Sequence, residues 1–368
     1  MLVVEQDLEH IPTKELKPSS LREYTVKLLE ERSNNWIDHT FQYPEKPFEQ
    51  FTFDKGFAIS GSHEHGLFGI VDEHKFYHHE FSKDAVNFIN NSDFWKPRTV
   101  PGIPGGGKFD LTTDGIKEVE FDEPINLWFN IQQYWHWFFE DLPLIEGFRD
   151  NHWPIITNKL KPWQQDSLTY FPDIIKRVVE VDTPCVVKAP KYYTYTYPAT
   201  SYRGKANSWV GEFLRDNLKS EFAFPFQKVY ISRGDAAARC VDNEDEVKKY
   251  LSEQGFVCYD NFSNLDISEK INVFGQAKIV ISPTGAGLTH VHAMPKGGTV
   301  IDFNHHFELK EECGWNNLAD VCGLKWYTFP AITTNDTERS KQGGVKAKNK
   351  NLMVDINTLH KVLCYVEG

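Results

Sequence analysis

Ser282-Pro283-Thr284-Gly285-Ala286-Gly287-Leu288-Thr289 decides how this chain is read. It follows Lys278-Ile279-Val280-Ile281, an apolar run with the character of a buried strand, and it opens a segment from Leu288 to Met294 that can start a helix. A strand, two glycines in a tight turn and a helix N-terminus make a cradle for an anionic group. Glycine lets the backbone approach the ligand, and the first helical amides have no partner inside the helix.

Outward from this turn, strand and helix patterns alternate. Lys228-Val229-Tyr230-Ile231 reads as a strand, and Asp242 is placed to cap a helix with Val247, Tyr250 and Leu251 on one face, stopped by Gly255. Phe256 to Tyr259 is a second strand, Ile267 to Phe274 a second helix, and Ile279 to Ser282 the strand before the turn. Thr299 to Phe303, a helix through Leu318 to Val321 and the strand Trp326 to Phe329 continue the series. Such alternation predicts a parallel sheet covered on both faces, with ligands beyond the carboxyl ends of its strands.

The N-terminal half is less regular. Residues 1 to about 50 are polar and partly extended, and short apolar runs between Phe57 and Phe81 predict antiparallel strands. Pro101 to Gly107 is a loop. A second α/β pattern then runs through Ile125 to Phe129, an aromatic helix from Gln133 to Phe148, Pro154 to Ile156, a short helix near Gln164, Arg177 to Val181 and Cys185 to Val187. Pro198 to Ser208 reads as a linker, and Asn351 to Val366 as a closing helix after a Lys/Gly loop.

The 368 residues carry a formal charge of -12, and the one Lys-rich block lies between Lys341 and Lys350, so general nucleic-acid binding is not expected. No run of about twenty apolar residues occurs, and the first residues lack a cationic-then-apolar leader pattern. The six cysteines are scattered without a CxxC pair, as for reduced thiols in a cytoplasmic protein.

Gln133-Tyr134-Trp135-His136-Trp137-Phe138-Phe139-Glu140-Asp141-Leu142-Pro143 is the second informative stretch. On a helix His136 and Glu140 share a face, with Asp141 about 100° further round. The surrounding aromatic surface desolvates these carboxylates and favours base strength. A satisfied histidine in an amphipathic core helix is the plainer alternative.

Taken together, His136-Trp137-x-x-Glu140-x-Leu142-Pro143 and Gly285-Ala286-Gly287-Leu288-Thr289 resemble glycosyltransferase family 61. Tyr230-Ile231-Ser232-Arg233, Arg239, Asn243-Glu244, Phe274-x-x-Ala277 and Val354-Asp355 are similar to that family's pattern too, over roughly residues 125 to 365. The resemblance implies an α/β GT-B architecture, two Rossmann-like domains with parallel sheets facing across a cleft. Residues 1–203 would form the acceptor-side domain with some antiparallel strands, 204–338 the nucleotide-sugar domain, and 339–368 the flexible loop and closing helix.

It also implies an inverting transfer from a nucleotide sugar to a hydroxyl of a glycan or glycoconjugate, with no cofactor and no obligatory metal. The leaving diphosphate would then be held in the turn Gly285-Ala286-Gly287-Leu288 by the amides after Gly285 and Gly287, with Thr284, Thr289 and the guanidinium groups of Arg233 and Arg239. Glu140 is the expected base, oriented or replaced by His136, with Asp141 as fallback. Asn243 and Glu244 are read as helix-capping groups, and Asp302 as a contact to ribose or sugar hydroxyls. Thr284, His290 and Lys270 depart from the family's usual His, Asn and Gln, and His292 with His305-His306 could compensate.

A non-catalytic nucleotide- or sugar-binding protein is the competing reading. Metal-dependent hydrolysis on His63-Glu64-His65, His78-His79 and His305-His306 is a third, without a carboxylate-rich partner at ligand spacing.

Overall fold

A computed structural model describes residues 2–4, 13–30, 35–45, 47–54, 56–60, 68–72, 75–77, 99–101, 109–111, 115–128, 133–182, 184–200, 205–221, 227–304, 314–333 and 351–368. The chain forms two compact units, Met1–Ser20 with Lys46–Ala199, and Leu21–Glu45 with Thr200–Gly368. Residues 21–45 thus group with the C-terminal half rather than with their neighbours in sequence.

In the first unit, four parallel strands lie in the order Val178–Val181, Ile155–Asn158, Ile125–Leu127, Tyr192–Tyr195. Phe48–Phe53 and Thr13–Lys17 extend that sheet antiparallel, so it is mixed rather than wholly parallel. Numbered along the chain, the parallel part reads 3-2-1-4, and the order reverses beside Ile125–Leu127. Val186–Lys188, expected to continue this α/β series, instead joins a second sheet of Glu118–Glu120, Phe57–Ser60, Phe68–Asp72 and Lys75–Tyr77. The antiparallel strands expected between Phe57 and Phe81 are found there. Leu2–Val4, Phe109–Leu111 and Thr99–Pro101 make a small antiparallel sheet, while residues 102–107 of the expected loop lie outside the described residues.

The second unit is built on seven strands: β1 (Ser20–Glu30), β2 (Asn35–Glu45), β3 (Gln227–Ile231), β4 (Phe256–Tyr259), β5 (Ala277–Pro283), β6 (Thr299–Asn304) and β7 (Lys325–Pro330). Their order is β4-β3-β5-β6-β7-β1-β2, parallel from β4 through β1. The five strands of the C-terminal half therefore follow a doubly wound 2-1-3-4-5 order that reverses between β3 and β5. The strands run almost continuously apolar because both faces are covered.

Among the described residues, the α-helices of this unit are α1 (Ser208–Asn217), α2 (Glu244–Glu253), α3 (Ile267–Gly275), α4 (Gly314–Val321) and α5 (Ile356–Glu367). Asn243 rather than Asp242 stands at the start of α2, and Gly255 ends it at φ +81°, where a side chain would be strained. Leu359, Val362 and Leu363 of α5 are buried in the core with Val247, Leu251, Ile279, Ile281 and Phe329, so the tail helix is integral to the unit.

The early strands are anchored by charge as well as by pairing. Arg22 Nε donates to Asp320 of α4 at 2.7 Å, and Glu45 accepts from the Ser208 amide at 2.6 Å, satisfying one of the open donors at the start of α1. The expected polar, partly extended N-terminus supplies two long strands, from which Leu29 and Trp36 pack onto this core.

Candidate active-site residues

Arg233 follows β3 and the glycine turn follows β5, the two strands that flank the reversal in strand order. Open α/β sheets bind ligands at this point, because the connections on either side leave in opposite directions. The two segments touch. A Cβ built on Gly285 would lie 2.0 Å from Arg233 Nη1 and 2.6 Å from its Cζ, at a φ of +154°. Glycine is required here because a guanidinium packs directly on the Cα.

Arg239 lies close to Arg233. Burial, then the nearby Arg239 charge, push the Arg233 guanidinium down to about 10, with Cys240 and Asp235 acting weakly the other way. Burial lowers Arg239 as well. Neither arginine forms an ion pair among the described residues, and the Nε of each is buried with no hydrogen-bond partner there. The nearest acid in the loop, Asp235, is engaged by the Ser263 hydroxyl. Two half-buried cations side by side repel one another and leave donors unmet, an arrangement that an anion relieves. Arg239 has a φ of +61°, a left-handed conformation that non-glycine residues seldom hold away from functional sites.

The turn after β5 differs from expectation. Ala286–Ala293 is a 3-10 segment with a kink at His290, not an α-helix, and Gly285 precedes it. The first ladder bond runs from the Leu288 amide to Gly285 O at 3.0 Å, so the amides of Ala286 and Gly287 lie outside it. Ala286 is exposed and Gly287 half-buried, whereas Thr284, Gly285, Leu288 and Thr289 are buried. Thr289 donates its hydroxyl to Ala286 O at 2.7 Å and the Thr284 amide bonds Phe303 O, so both stabilise the turn. A short 3-10 turn carries little macrodipole, which leaves most of any anion's charge to the arginines.

Asp302 is buried inside the sheet. Its carboxylate accepts from Trp326 Nε1 at 2.9 Å and Asn304 Nδ2 at 3.3 Å, and burial raises its pKa to about 7 against these bonds and one from Thr328. His292 is fully buried, and burial holds it down at about 3. Burial therefore disfavours a positive charge on it at neutral pH. His290, 3.4 Å from His292, is likewise pushed well below its usual range by burial. Lys270 donates to Ser263 O at 3.2 Å.

In the first unit, the chain leaves Ile125–Leu127, the strand beside its own reversal point, and re-enters helix at Tyr134. The expected aromatic helix is present in pieces: one α turn at Tyr134–His136, a π turn at Trp137–Asp141, a 3-10 turn at Leu142–Leu144 and α again at Ile145–Phe148. Pro143 explains the break. It has no N–H to donate, and its ring crowds the carbonyl of Phe139 four residues back. The ladder widens instead, with the Leu142 amide bonded to Trp137 O.

This turn is fixed by aromatic packing. Trp128 stacks on Trp137 at 4.9 Å and donates to Asp141 O at 3.2 Å, while Trp137 Nε1 donates to Ser167 Oγ at 2.8 Å. His136 Nδ1 lies 2.9 Å from Glu140 Oε2, with side-chain exposures of 20% and 2%. With Glu140 ionised, Nδ1 carries the proton given to the carboxylate, and Nε2 of the more exposed partner is then the nitrogen able to accept one. Asp141 is fully buried.

Asn243 stands at the N-cap position of α2 but makes no side-chain cap hydrogen bond, so it and Glu244 are engaged otherwise than as the expected capping groups. Glu244 accepts from the Tyr230 hydroxyl at 2.8 Å, and Asn243 bonds Val354 through both its amide oxygen and nitrogen. The pairing of Asn243 with Val354 was invisible in sequence, as was Asn351, which holds Cys240 and Asp242. The available signal was Asn351-Leu352-Met353-Val354-Asp355, a polar residue and apolar pair just ahead of a helix cap.

His63, His65, His78, His79, His305 and His306 lie outside the described residues. Among the described residues, no three His, Cys, Asp or Glu side chains converge as metal ligands, and no helix is long and apolar enough to cross a membrane. Among the described residues, Cys185, Cys240, Cys258, Cys322 and Cys364 form no disulfide.

Residues 134–301 match the model of the glycosyltransferase 61 family. The matched region begins at the first residue of the Tyr134–His136 turn and runs through the arginine loop and the glycine turn into β6. No curated protein is detectably similar to the chain in sequence.

Proposed function

We propose that this protein is a GT-B-type inverting glycosyltransferase that moves a sugar from a nucleotide-diphosphate donor to a hydroxyl of a glycan or glycoconjugate. The observation that carries the reading is the neighbouring pair Arg233 and Arg239, with Arg233 packed on Gly285, two partly buried cations without a carboxylate partner among the described residues. In the reaction, the acceptor oxygen attacks the anomeric carbon from the face opposite the leaving group. The new C–O bond forms as the bond to the β-phosphate oxygen breaks, and the electron pair departs with the diphosphate. Arg233, Arg239 and the Ala286 and Gly287 amides neutralise that charge. The acceptor proton passes to His136 Nε2, with Glu140 holding the ring and stabilising the imidazolium. This division of labour suits their exposures, since the histidine reaches solvent and the carboxylate hardly does. A cytoplasmic location belongs to the same proposal.

A panel of nucleoside diphosphates and nucleotide sugars, titrated by calorimetry, tests it. At least one is expected to bind, with Arg233→Ala weakening the diphosphate far more than the parent nucleoside. Glu140→Gln and His136→Ala are expected to lower turnover by about 10²–10⁴-fold with donor affinity nearly unchanged. Equal loss of nucleoside and diphosphate binding removes Arg233 from the phosphate site, and normal turnover of both dyad variants removes the dyad from the chemistry. The burial of Glu140 and Asp141 favours a second reading, a non-catalytic binder of the same ligands. Donor binding with no transfer or hydrolysis in a single-turnover assay would select it.

A further inference from the structure

The loop carrying both arginines is closed by a segment that arrives about a hundred residues later. Cys240, next to Arg239, donates its thiol to Arg233 O at 3.1 Å and to Ala236 O at 3.3 Å, so it ties the loop's two ends. Cys240 is itself held by Asn351, whose Oδ1 accepts from the Cys240 amide at 3.2 Å. The Asn351 Nδ2 donates to Asp242 Oδ1 at 2.8 Å. Main-chain bonds run alongside: the Leu352 amide to Cys240 O and the Asp242 amide to Leu352 O, each 2.8 Å. Val354 and Asn243 complete the seam with the reciprocal pair described above. Asn351 and Leu352 are buried, at 5% and 0% exposure, so these bonds are shielded from competing water.

The bonds fall on the residues directly after Arg239, whose left-handed backbone must be imposed by its surroundings. A loop holding two like charges together is under electrostatic pressure to open. Within residues 233–240 it is resisted by the Cys240 thiol, a turn bond at Ala236 and a long contact of 3.4 Å from Arg233 Nη2 to Ala238 O. We propose that Asn351 is a positioning residue for the arginine pair: its amide spans Cys240 and Asp242 and holds the loop that carries the two guanidiniums. This rests on the reading of Arg233 and Arg239 as phosphate-binding. The tail segment thereby sets anion affinity without touching the anion.

The test is calorimetric titration of the full chain with inorganic pyrophosphate. Asn351→Ala and Asn351→Asp are expected to weaken pyrophosphate binding at least fivefold. The exchange Asn351→Asp with Asp242→Asn keeps one amide and one carboxylate at the junction, as well as the net charge, and is expected to restore affinity to within twofold of wild type. Such restoration would not follow from a general loss of packing. If Asn351→Ala fails to fold, Asn351→Asp and the exchange still decide. Arg233→Ala and Arg239→Ala are run alongside. Weakened binding in those two, with Asn351 variants indistinguishable from wild type or an exchange that restores nothing, overturns the positioning role alone. Unchanged binding in the arginine variants overturns the phosphate reading beneath it.

Discussion

At the residue scale, Gly285 and Arg233 act as one feature. The glycine is a space left for a guanidinium, so its substitution should be felt through the arginine. Gly285→Ala puts a methyl group 2.0 Å from Nη1 and must move that side chain. The expected result is pyrophosphate affinity roughly tenfold weaker, about 1.4 kcal/mol, and no further loss when the change is made in an Arg233→Ala background. Additive losses in that double-mutant cycle would mean the two residues act separately. Gly285 and Gly287 were legible in sequence because an apolar strand that runs straight into two closely spaced glycines must turn tightly there. The reach of Arg233 across to Gly285 was not, since 52 positions separate them and only the sheet order makes them neighbours.

Elements were read better in the C-terminal half than in the N-terminal half, for a physical reason. Strands β5, β6 and β7 are buried on both faces and appear as apolar blocks between helices of clear periodicity. The exceptions are local. The segment after Gly285 contains His290 and His292, which pack inward as neutral groups, and a 3-10 turn replaces the expected helix. In the first unit the helix expected unbroken from Gln133 to Phe148 is interrupted ahead of Pro143 by a π turn that keeps His136 on Glu140. Helix contacts were out of reach of sequence altogether. Gly211 of α1 abuts α4 so closely that a Cβ would sit 2.3 Å from Val321 O and 2.7 Å from its carbonyl carbon. Backbone cannot step aside as a side chain can, so Gly211→Ala should destabilise the protein by about 1–3 kcal/mol in urea unfolding. A loss below about 0.5 kcal/mol, the level of an ordinary surface change, would mean the helices separate easily.

Across the whole molecule, buried ionisable groups shape the response to pH, with opposite signs. His292, held at about 3 against an ordinary 6.5, binds fewer protons folded than unfolded. Its contribution is intact above pH 6.5 and is lost as the pH falls towards 3; His290 acts in the same direction. Asp302, raised from 3.8 to about 7, binds more protons folded. Its contribution is present below pH 3.8 and is lost as the pH rises through 7. The two trends oppose each other between about 4 and 6.5 and flatten the profile. Asp302→Asn removes the second trend while keeping an acceptor for Trp326. Its stability relative to wild type should therefore climb by on the order of 1 kcal/mol per pH unit from about pH 4 to 7 and then level off, measured by denaturant midpoints. A constant offset across that range would show that Asp302 titrates normally.

The pairing of β1 with β7 bears on how the protein is made. Residues 20–45 leave the ribosome long before Lys325–Pro330, yet their place in the second sheet exists only once that strand has been synthesised. Nascent chains must carry that ribbon unpaired through most of translation, and a polypeptide begun at residue 200 would present β7 as a naked border inviting intermolecular stacking. Supplying residues 13–45 as a separate peptide to such a polypeptide should restore its solubility, a complementation that a self-contained C-terminal half would not need.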